Sequence, residues 1–469
     1  MRAKTSRSRP VWEVAAALGV AALIASGTAS AAGTQRPSGG PVDRGAASGE
    51  VVRSWNAIAG EAAKAACIAP TDNPLSESHA YAMMHIAVHD ALNAIQRRFE
   101  PYVYDGRAPR TASVAAAVAQ ASRDVLVPTL LAIPAPFPSE CGQAGAQLVE
   151  EEYAQKLAAV PTGPAKADGQ AVGAAAAAAV LALRAGDGSN QPLADPAFPQ
   201  GTSPGQWRFT PDRPFAFGPG WSTVDPFVLS SADQFVPPPP PALGSAQYTA
   251  DFTEVKRLGG DGIGTPSERT AEQTEIAQFW VESSPLAWNR IARTVAEGRH
   301  LDAWRSARLF GLLNTALADT YVASFETKYR YLFWRPVTAI REAGTDGNPA
   351  TEPDPTWTPL VVTPPIPDYE SAHAAEGAAA AAVLRGVLNT DRVRFDACSL
   401  TLPEGQRCSD PVPVLRSFGR FSQAAQENGD SRVLVGFHFR TAVDRGLQLG
   451  TSIGDWTVAT QMRHVGRGG

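Results

Sequence analysis

Two alanine-rich stretches constrain the fold of this chain more than any other feature of the sequence. Residues 171–187 read AVGAAAAAAVLALRAGD, and residues 371–384 read SAHAAEGAAAAAVL. Alanine has the highest helix propensity, and a helix with such small apolar side chains is stable mainly when neighbours bury it. Apolar residues recur at helical spacing elsewhere, for example over residues 78–99, whereas no convincing strand alternation is visible. The sequence therefore predicts a mainly α protein.

A segment rich in proline and glycine separates two helical regions. Residues 188–244 include the five-proline run 237–241, and proline excludes a helix because it lacks the N–H and fixes φ. The segment also carries Trp, Phe and Val, so we expect it to pack on the surface as an ordered connection. We predict helical bundles, as two four-helix-bundle-like layers, in an N-terminal region (52–187) and a C-terminal region (245–469) joined by this irregular connection.

The N-terminus has the pattern of a secretory signal peptide. Residues 1–31 combine a basic start, a short apolar run and small residues suited to cleavage near Ala31 or Ala32. We expect a secreted protein with a flexible leader over residues 32–51 and no membrane span after cleavage. An N-terminal membrane anchor is the alternative, although the apolar run is short for spanning a bilayer.

Export permits disulfides, and the chain has four cysteines. Cys398 and Cys408 are close in a loop-like stretch, which favours that bridge and leaves Cys67–Cys141 as the other; free buried thiols are the alternative. The net charge of -5 comes without any basic region, so a nucleic-acid partner is not expected.

The first motif with chemical potential is KYRYLFWRP, residues 328–336. Lys328 and Arg335 are seven residues apart, which places both on one side of a helix. We expect Pro336 to end that helix and to favour an extended backbone at Arg335, so that its guanidinium can turn inward. Taken alone, the two cations are more simply interpreted as solvated surface charges.

The second motif is the start of the alanine-rich helix at residues 371–384. Ser371 is a good N-cap residue, and the first N–H groups of a helix form an anion site. Ala372 is small enough to let an anion approach the backbone, and His373 in the first turn can exchange a proton near it. Taken alone, a capping serine followed by an incidental histidine is an equal possibility.

The third motif is SRVLVGFHFR, residues 431–440. Arg432 and His438 differ by about 120° on an ideal helix, so either the segment straddles a helix start or the arginine reaches round. A satisfied core histidine is the simpler interpretation of this stretch alone. Taken together, the three motifs supply three cations, a hydroxyl, a helix N-terminus and two imidazoles, which suit a tetrahedral oxyanion.

The order of these motifs resembles the signature of a known superfamily. Lys-x6-Arg-Pro, Ser-small-His and Ser-Arg-x5-His are similar to the motifs shared by vanadium-dependent haloperoxidases and type 2 phosphatidic acid phosphatases. The flanking stretches FWRPVTAIR (333–341) and MMHIAVHDALNAI (83–95) resemble the secreted bacterial haloperoxidase-like branch. The resemblance covers most of the chain after the signal peptide.

The resemblance implies a role for each motif residue. His438 would bond the vanadium of vanadate or attack phosphorus in a phosphatase, and His373 would be the acid or base. Lys328 would polarise bound hydrogen peroxide most directly. Five groups would hold the oxygens of the ion, namely the side chains of Lys328, Arg335, Arg432 and Ser371 and the backbone N–H of Ala372. The partners would be hydrogen peroxide and halide with vanadate as cofactor, or a phosphate ester with no cofactor.

Four positions depart from the family pattern, and the mildest departure is Ala372 in place of glycine. Glu370 stands where the family usually has proline, and it should weaken anion binding if it points inward but not if it points outward. Ala442 stands where an acid often follows the histidine, and the nearest acid is Asp444, so a backbone carbonyl would have to orient His438. Ile366 stands near the position of an aromatic residue in good chloride oxidisers, which favours bromide or iodide.

Three functions therefore remain open. A secreted vanadium-dependent haloperoxidase-like enzyme is favoured by Trp334 and the flanks, a soluble secreted acid phosphatase can use the same groups, and an oxyanion-binding protein can have lost catalysis through Glu370 and Ala442. Two features outside the three motifs also deserve a prediction. His85 and His89 beside Asp90 have a spacing that can bind a metal, but helix packing is the simpler interpretation. Asp319 is a candidate buried partner for an arginine.

Overall fold

Helices account for most of the structure, a computed structural model that describes residues 48–134 and 136–466. The predicted mainly α class is confirmed. The helices of the N-terminal region are α1 (Glu50–Ala65), α2 (Pro74–Ile95), α3 (Val114–Leu131), α4 (Ser139–Ala158) and α5 (Pro164–Arg184). Those that follow the connection are α6 (Ala246–Leu258), α7 (Ala271–Phe279), α8 (Ser284–Gly298), α9 (Ala303–Tyr331), α10 (Pro336–Arg341), α11 (Ala372–Leu388), α12 (Phe421–Leu434) and α13 (Arg440–Thr460).

Strands are short and peripheral among the described residues. Two antiparallel pairs are present: β1 (Ala194–Asp195) with β2 (Ala216–Phe217), and β3 (Phe395–Ala397) with β4 (Arg416–Phe418). The predicted signal peptide and most of the predicted leader lie outside the described residues. The division into two regions at residues 188–244 stays a prediction. The main hydrophobic core takes residues from both sides of the connection.

Nearly all side chains of helix α2 are buried. The helix packs against α3 and α5 of the N-terminal region and against α9 of the C-terminal region, and so links the two helical regions. Asn73 caps its start by accepting a hydrogen bond from the N–H of Ser76 at 3.1 Å. His85 lies 2.8 Å from the amide of Asn56, and His89 lies 3.0 Å from Asp90. Both histidines thus serve packing, and the described residues contain no metal-ligating cluster.

Helix α3 is the one described helix that is long and apolar enough to cross a membrane by length and composition. Half of that apolar stretch is buried in the protein, where α3 packs against α2, α4 and α5.

The connection is ordered and is anchored to helix α9. Its residues Trp207 and Trp221 are buried. Asp319 of α9 accepts hydrogen bonds from three consecutive N–H groups of the connection, Phe227–Leu229, at 2.6–2.8 Å. Asp319 is buried as predicted and the charge of Arg184 acts on it, but its hydrogen bonds come from these backbone amides and not from an arginine. Burial raises the pKa of Asp319 to about 6.

Helices α11 and α13 pack backbone against backbone. Gly446, Gly450 and Gly454 recur every fourth residue on α13, so they form one glycine face. A Cβ atom at Gly450 would collide with the carbonyl oxygen of Ala375 on α11, and one at Gly446 would lie 2.5 Å from that of Ser371. The glycines thus permit the close approach of α11, whose alanines are correspondingly small.

Both predicted disulfides are present. Cys67–Cys141 joins the end of α1 to α4, and Cys398–Cys408 closes the loop between β3 and β4, with Cα–Cα distances of 5.6 and 5.2 Å.

Candidate oxyanion site

A cavity of about 440 Å³ brings most of the predicted site residues together. Six of the seven line it, namely Lys328, Arg335, Ala372, His373, Arg432 and His438. Ser371 is adjacent but is buried and does not line the cavity. The remaining wall is largely apolar and includes Phe215, Phe217, Phe325, Val361, Ile366 and Phe437.

The first motif reaches the cavity through a chain reversal. Helix α9 ends at Tyr331, and Leu332 adopts a left-handed conformation with φ 46°. Arg335 then has the predicted extended backbone, but Pro336 begins α10 and does not end the preceding helix. The expectation that Pro336 terminates the helix was wrong, because the reversal at Leu332 comes four residues earlier.

The ammonium of Lys328 is fully used by backbone carbonyls. It donates to Pro367 O at 3.1 Å, to Asp368 O at 3.0 Å and to Glu370 O. A lysine has three N–H donors, so none remains for an oxyanion in this arrangement. Burial, followed by the charge of Arg335, lowers the pKa of Lys328 to about 7. Lys328 therefore acts on the cavity through its charge and through its hold on residues 367–370.

Arg335 is fixed by two carbonyls and retains a free donor. Its Nε donates to Ile366 O at 2.7 Å and its Nη1 to Phe437 O at 2.9 Å. Nη2 is buried and has no partner among the described residues. Burial lowers the pKa of Arg335 to about 10, so the guanidinium is still charged at neutral pH.

The second motif starts helix α11 without the predicted side-chain cap. Ser371 occupies the N-cap position, but its hydroxyl is buried and makes no hydrogen bond among the described residues. Its N–H donates to Ala442 O at 3.0 Å, which ties the helix start to α13. His373 is half-buried, with Nε2 3.3 Å from Glu282 O. Its pKa is held well below the usual range, first by burial and then by the charge of Arg432.

The third motif is a break between two helices. Helix α12 ends at Leu434 and α13 begins at Arg440, so the motif spans a helix boundary, which is the first of the two alternatives for Arg432 and His438. Gly436 has φ 84°, and a Cβ there would lie 2.6 Å from Gly259 O, so both conformation and space require glycine. Since the chain turns between Arg432 and His438, the two side chains reach one cavity despite their unfavourable helical angle.

One guanidinium nitrogen of Arg432 donates a hydrogen bond, and another has no hydrogen-bond partner among the described residues. Nη1 donates to Trp280 O at 3.0 Å, while Nε is buried without a partner among the described residues. The guanidinium carbon lies 4.9 Å from the ring centre of Phe437. Burial, followed by the charge of Arg335, lowers the pKa of Arg432 to about 9.

His438 lies between an acid and an arginine. Its Nδ1 is 3.0 Å from Asp368 Oδ1, and its Nε2 is 3.0 Å from Arg335 Nη1. Asp368 is the residue that the sequence analysis missed, while Asp444 is exposed on α13. Burial lowers the pKa of His438 and raises the pKa of Asp368 to about 7. The available signal was an acid three residues before Ser371.

Glu370 points into the protein. Both carboxylate oxygens are buried and have no partner among the described residues, and Oε2 packs where a side chain at Gly446 would lie. Burial raises the pKa of Glu370, and the charge of Lys328 opposes this. Glu370 is thus buried but does not line the cavity, so it takes neither of the two orientations considered, toward the anion or toward solvent.

Unpartnered donors around the cavity suit a four-oxygen anion such as vanadate or phosphate. Arg335 Nη2, Arg432 Nε and Ser371 Oγ are buried without acceptors among the described residues. Buried donors are normally satisfied, so the two unpartnered guanidinium donors that line the cavity indicate a missing acceptor, and the hydroxyl of Ser371 lies next to them in the chain fold. The N-terminus of α11 adds the partial positive charge of a helix dipole, which also favours an anion.

Comparisons with known proteins bear on the family resemblance. Residues 308–467 match the family described as the VCPO second helical-bundle domain. A vanadium chloroperoxidase of Curvularia inaequalis is 24% identical over 306 residues, which are 52% of this chain and 50% of that protein. The chain thus spans about half the length of this curated relative.

Solved structures share the fold over most of the chain. A bacterial vanadium-dependent iodoperoxidase superposes with a TM-score of 0.73 at 24% identity, covering 90% of this chain and 98% of that one. An apo-type bacterial vanadium-dependent chloroperoxidase gives 0.65 at 16% identity, covering 84% and 95%. The predicted resemblance is confirmed: this chain has the all-α fold of the vanadium haloperoxidases, and its residues 308–467 match the VCPO second helical-bundle domain.

Proposed function

We propose that this protein is a secreted vanadium-dependent haloperoxidase-like enzyme that oxidises halide with hydrogen peroxide, bromide or iodide in preference to chloride. The observation that carries the proposal is the convergence of Lys328, Arg335, Arg432 and two histidines on one cavity. The fold shared with the bacterial iodoperoxidase and chloroperoxidases supports it.

Vanadate suits the donor set of the cavity. Nε2 of His438 would bond its vanadium, since Nδ1 faces Asp368. Four groups would hold its oxygens: Arg335, Arg432, the hydroxyl of Ser371 and the N–H of Ala372. When bound, vanadate supplies a Lewis-acid centre that activates hydrogen peroxide toward halide.

The protein's own residues would supply charge and proton transfer. An anion in the cavity would favour the protonated form of Lys328, whose pKa is otherwise lowered to about 7, and that charge would then stabilise the anion although the N–H groups are bound to carbonyls. His373 is neutral at ordinary pH because burial and Arg432 depress its pKa, so it can accept a proton from hydrogen peroxide.

Halide preference follows from the apolar wall. Ile366 lines the cavity at the position where the resemblance places an aromatic residue in good chloride oxidisers. An aliphatic side chain there supports bromide or iodide, which are easier to oxidise.

The test is reconstitution of the purified protein with orthovanadate, followed by assays of iodide, bromide and chloride oxidation with hydrogen peroxide. We expect turnover that requires vanadate, that ranks iodide and bromide above chloride, and that is lost in His438→Ala. In parallel, the vanadate-free protein is assayed on an aryl phosphate. Phosphate release that vanadate inhibits would identify a phosphatase instead, and vanadate binding without any turnover would identify an oxyanion-binding protein.

A further inference from the structure

We infer that Asp368 is a positioning residue that orients the His438 imidazole and fixes its proton on Nδ1, leaving Nε2 free to bond an oxyanion. The inference rests on the proposed function only for the final step, the bond to the oxyanion. Its basis is a contact of 3.0 Å between Asp368 Oδ1 and His438 Nδ1 in which both side chains are buried. The contact is not aligned as a hydrogen bond, and neither carboxylate oxygen has another partner among the described residues, so His438 is the nearest group to Asp368 that can supply a proton.

The polar neighbours of the imidazole bear unequally on its tautomer. When ionised, the carboxylate of Asp368 only accepts hydrogen bonds, so the proton that faces it lies on Nδ1. Arg335 Nη1 is 3.0 Å from Nε2 and 3.4 Å from Nδ1, so it lies beside the ring and does not select either nitrogen. The tautomer is therefore assigned from the contact with Asp368 alone.

The backbone holds Asp368 in place on both sides. Its N–H donates to Phe333 O at 2.9 Å, and its carbonyl accepts from Lys328 Nζ at 3.0 Å. Both partners belong to the end of α9 and the turn after it. The carboxylate is thus delivered by a fixed segment, and it needs no other side chain to hold it.

The neighbourhood of His438 in sequence offers no substitute. Position 442 is alanine, and its carbonyl is used by the N–H of Ser371. Asp444 is exposed on α13. Among the described residues, Asp368 is the only acid with a carboxylate oxygen within 4.0 Å of an imidazole nitrogen of His438. The carboxylate beside Nδ1 of His438 therefore comes from Asp368, in a distant segment, and not from a residue close to His438 in sequence.

The first experiment measures the tautomer directly in the vanadate-free protein. Histidines are labelled with ¹⁵N, and the His438 signals are identified by their loss in His438→Gln. We expect the wild type to carry the proton on Nδ1. In Asp368→Asn the amide can donate to Nδ1, so we expect the proton to move at least partly to Nε2. A wild-type His438 protonated on Nε2, or an unchanged tautomer in Asp368→Asn, would overturn the inference without reference to any enzymatic activity.

The second experiment measures orthovanadate affinity by titration calorimetry. Loss of an orienting partner of a ligating histidine typically costs about 10- to 100-fold in affinity, and we expect a loss of that size for Asp368→Asn. Asp444→Asn is the matched control, because it removes the acid nearest to His438 in sequence, and it should leave both readouts unchanged. If the wild type binds no vanadate, the proposed function fails, and the tautomer measurement still decides the role of Asp368. If Asp368→Asn does not fold, the wild-type tautomer alone decides it.

Discussion

The buried carboxyl of Glu77 should make the stability of this protein fall as pH rises. Glu77 lies in the first turn of α2 and is 1% exposed. One oxygen accepts a hydrogen bond from Ser283, and the other has no partner among the described residues. Burial raises the pKa of Glu77 from 4.5 to about 8, and the Ser283 hydrogen bond only partly opposes this.

The sign follows from proton linkage. The folded state holds the Glu77 proton more tightly than the unfolded state, so the contribution of this group is complete below about pH 4.5. It is lost progressively as the pH rises toward about 8. At about 1.4 kcal/mol per pH unit, the displacement from 4.5 to about 8 corresponds to roughly 5 kcal/mol.

Glu77→Gln tests this reasoning because the amide keeps the shape of the side chain but does not titrate. Guanidinium unfolding of the disulfide-intact protein is measured between pH 5 and 8.5. We expect the free energy of unfolding of the wild type to decline relative to Glu77→Gln by several kcal/mol across this range. Glu297→Gln, at an exposed position on α8, is the control and should run parallel to the wild type. Parallel profiles for the wild type and Glu77→Gln would refute the assignment.

Three further predictions concern the site and its supports. Arg432→Gln should weaken orthovanadate binding about 10- to 100-fold, measured by calorimetry, because hydrogen bonds to a charged group contribute about 1.5–3 kcal/mol; unchanged affinity would exclude Arg432 from the site. Gly450→Ala should lower the melting temperature, with a cost of about 1–3 kcal/mol from overpacking against Ala375, whereas Gly298→Ala, which faces open space, should not. Asp319→Asn should destabilise the protein by about 1–3 kcal/mol in chemical unfolding, because one amide oxygen cannot serve all three N–H donors of the connection; equal stability would show that these hydrogen bonds contribute little.

Local sequence was sufficient for most of the helices, whereas the site residues were chosen from three motifs taken together and from the family resemblance. Helix propensity and N-cap chemistry place the start of α11 within one residue of Ser371. The pairing of Cys398 with Cys408 followed from their short separation. These inferences depend on interactions between residues that are close in sequence, so the spacing of the residues along the chain is enough to predict them.

The missed features depend on contacts between distant segments. The acid beside His438 comes from a position 70 residues earlier in the chain, and no periodicity connects the two. The break between α12 and α13 is imposed partly by the close approach of Gly436 to Gly259, which belongs to another helix end. Lys328 was expected to face the anion, but the carbonyls of residues 367–370 take its donors only after the chain has folded back.

The contact between α11 and α13 has a consequence for how this cavity can evolve. The N–H of Ser371 meets the carbonyl of Ala442, and its own carbonyl packs on Gly446, so main-chain contacts help to set the spacing between the two helices. Exchanging side chains around the cavity would then alter which anion it prefers while these contacts persist. A methyl group added at position 446 would instead meet the carbonyl of Ser371 and the carboxylate of Glu370, and would shift the start of α11 that carries Ala372 and His373.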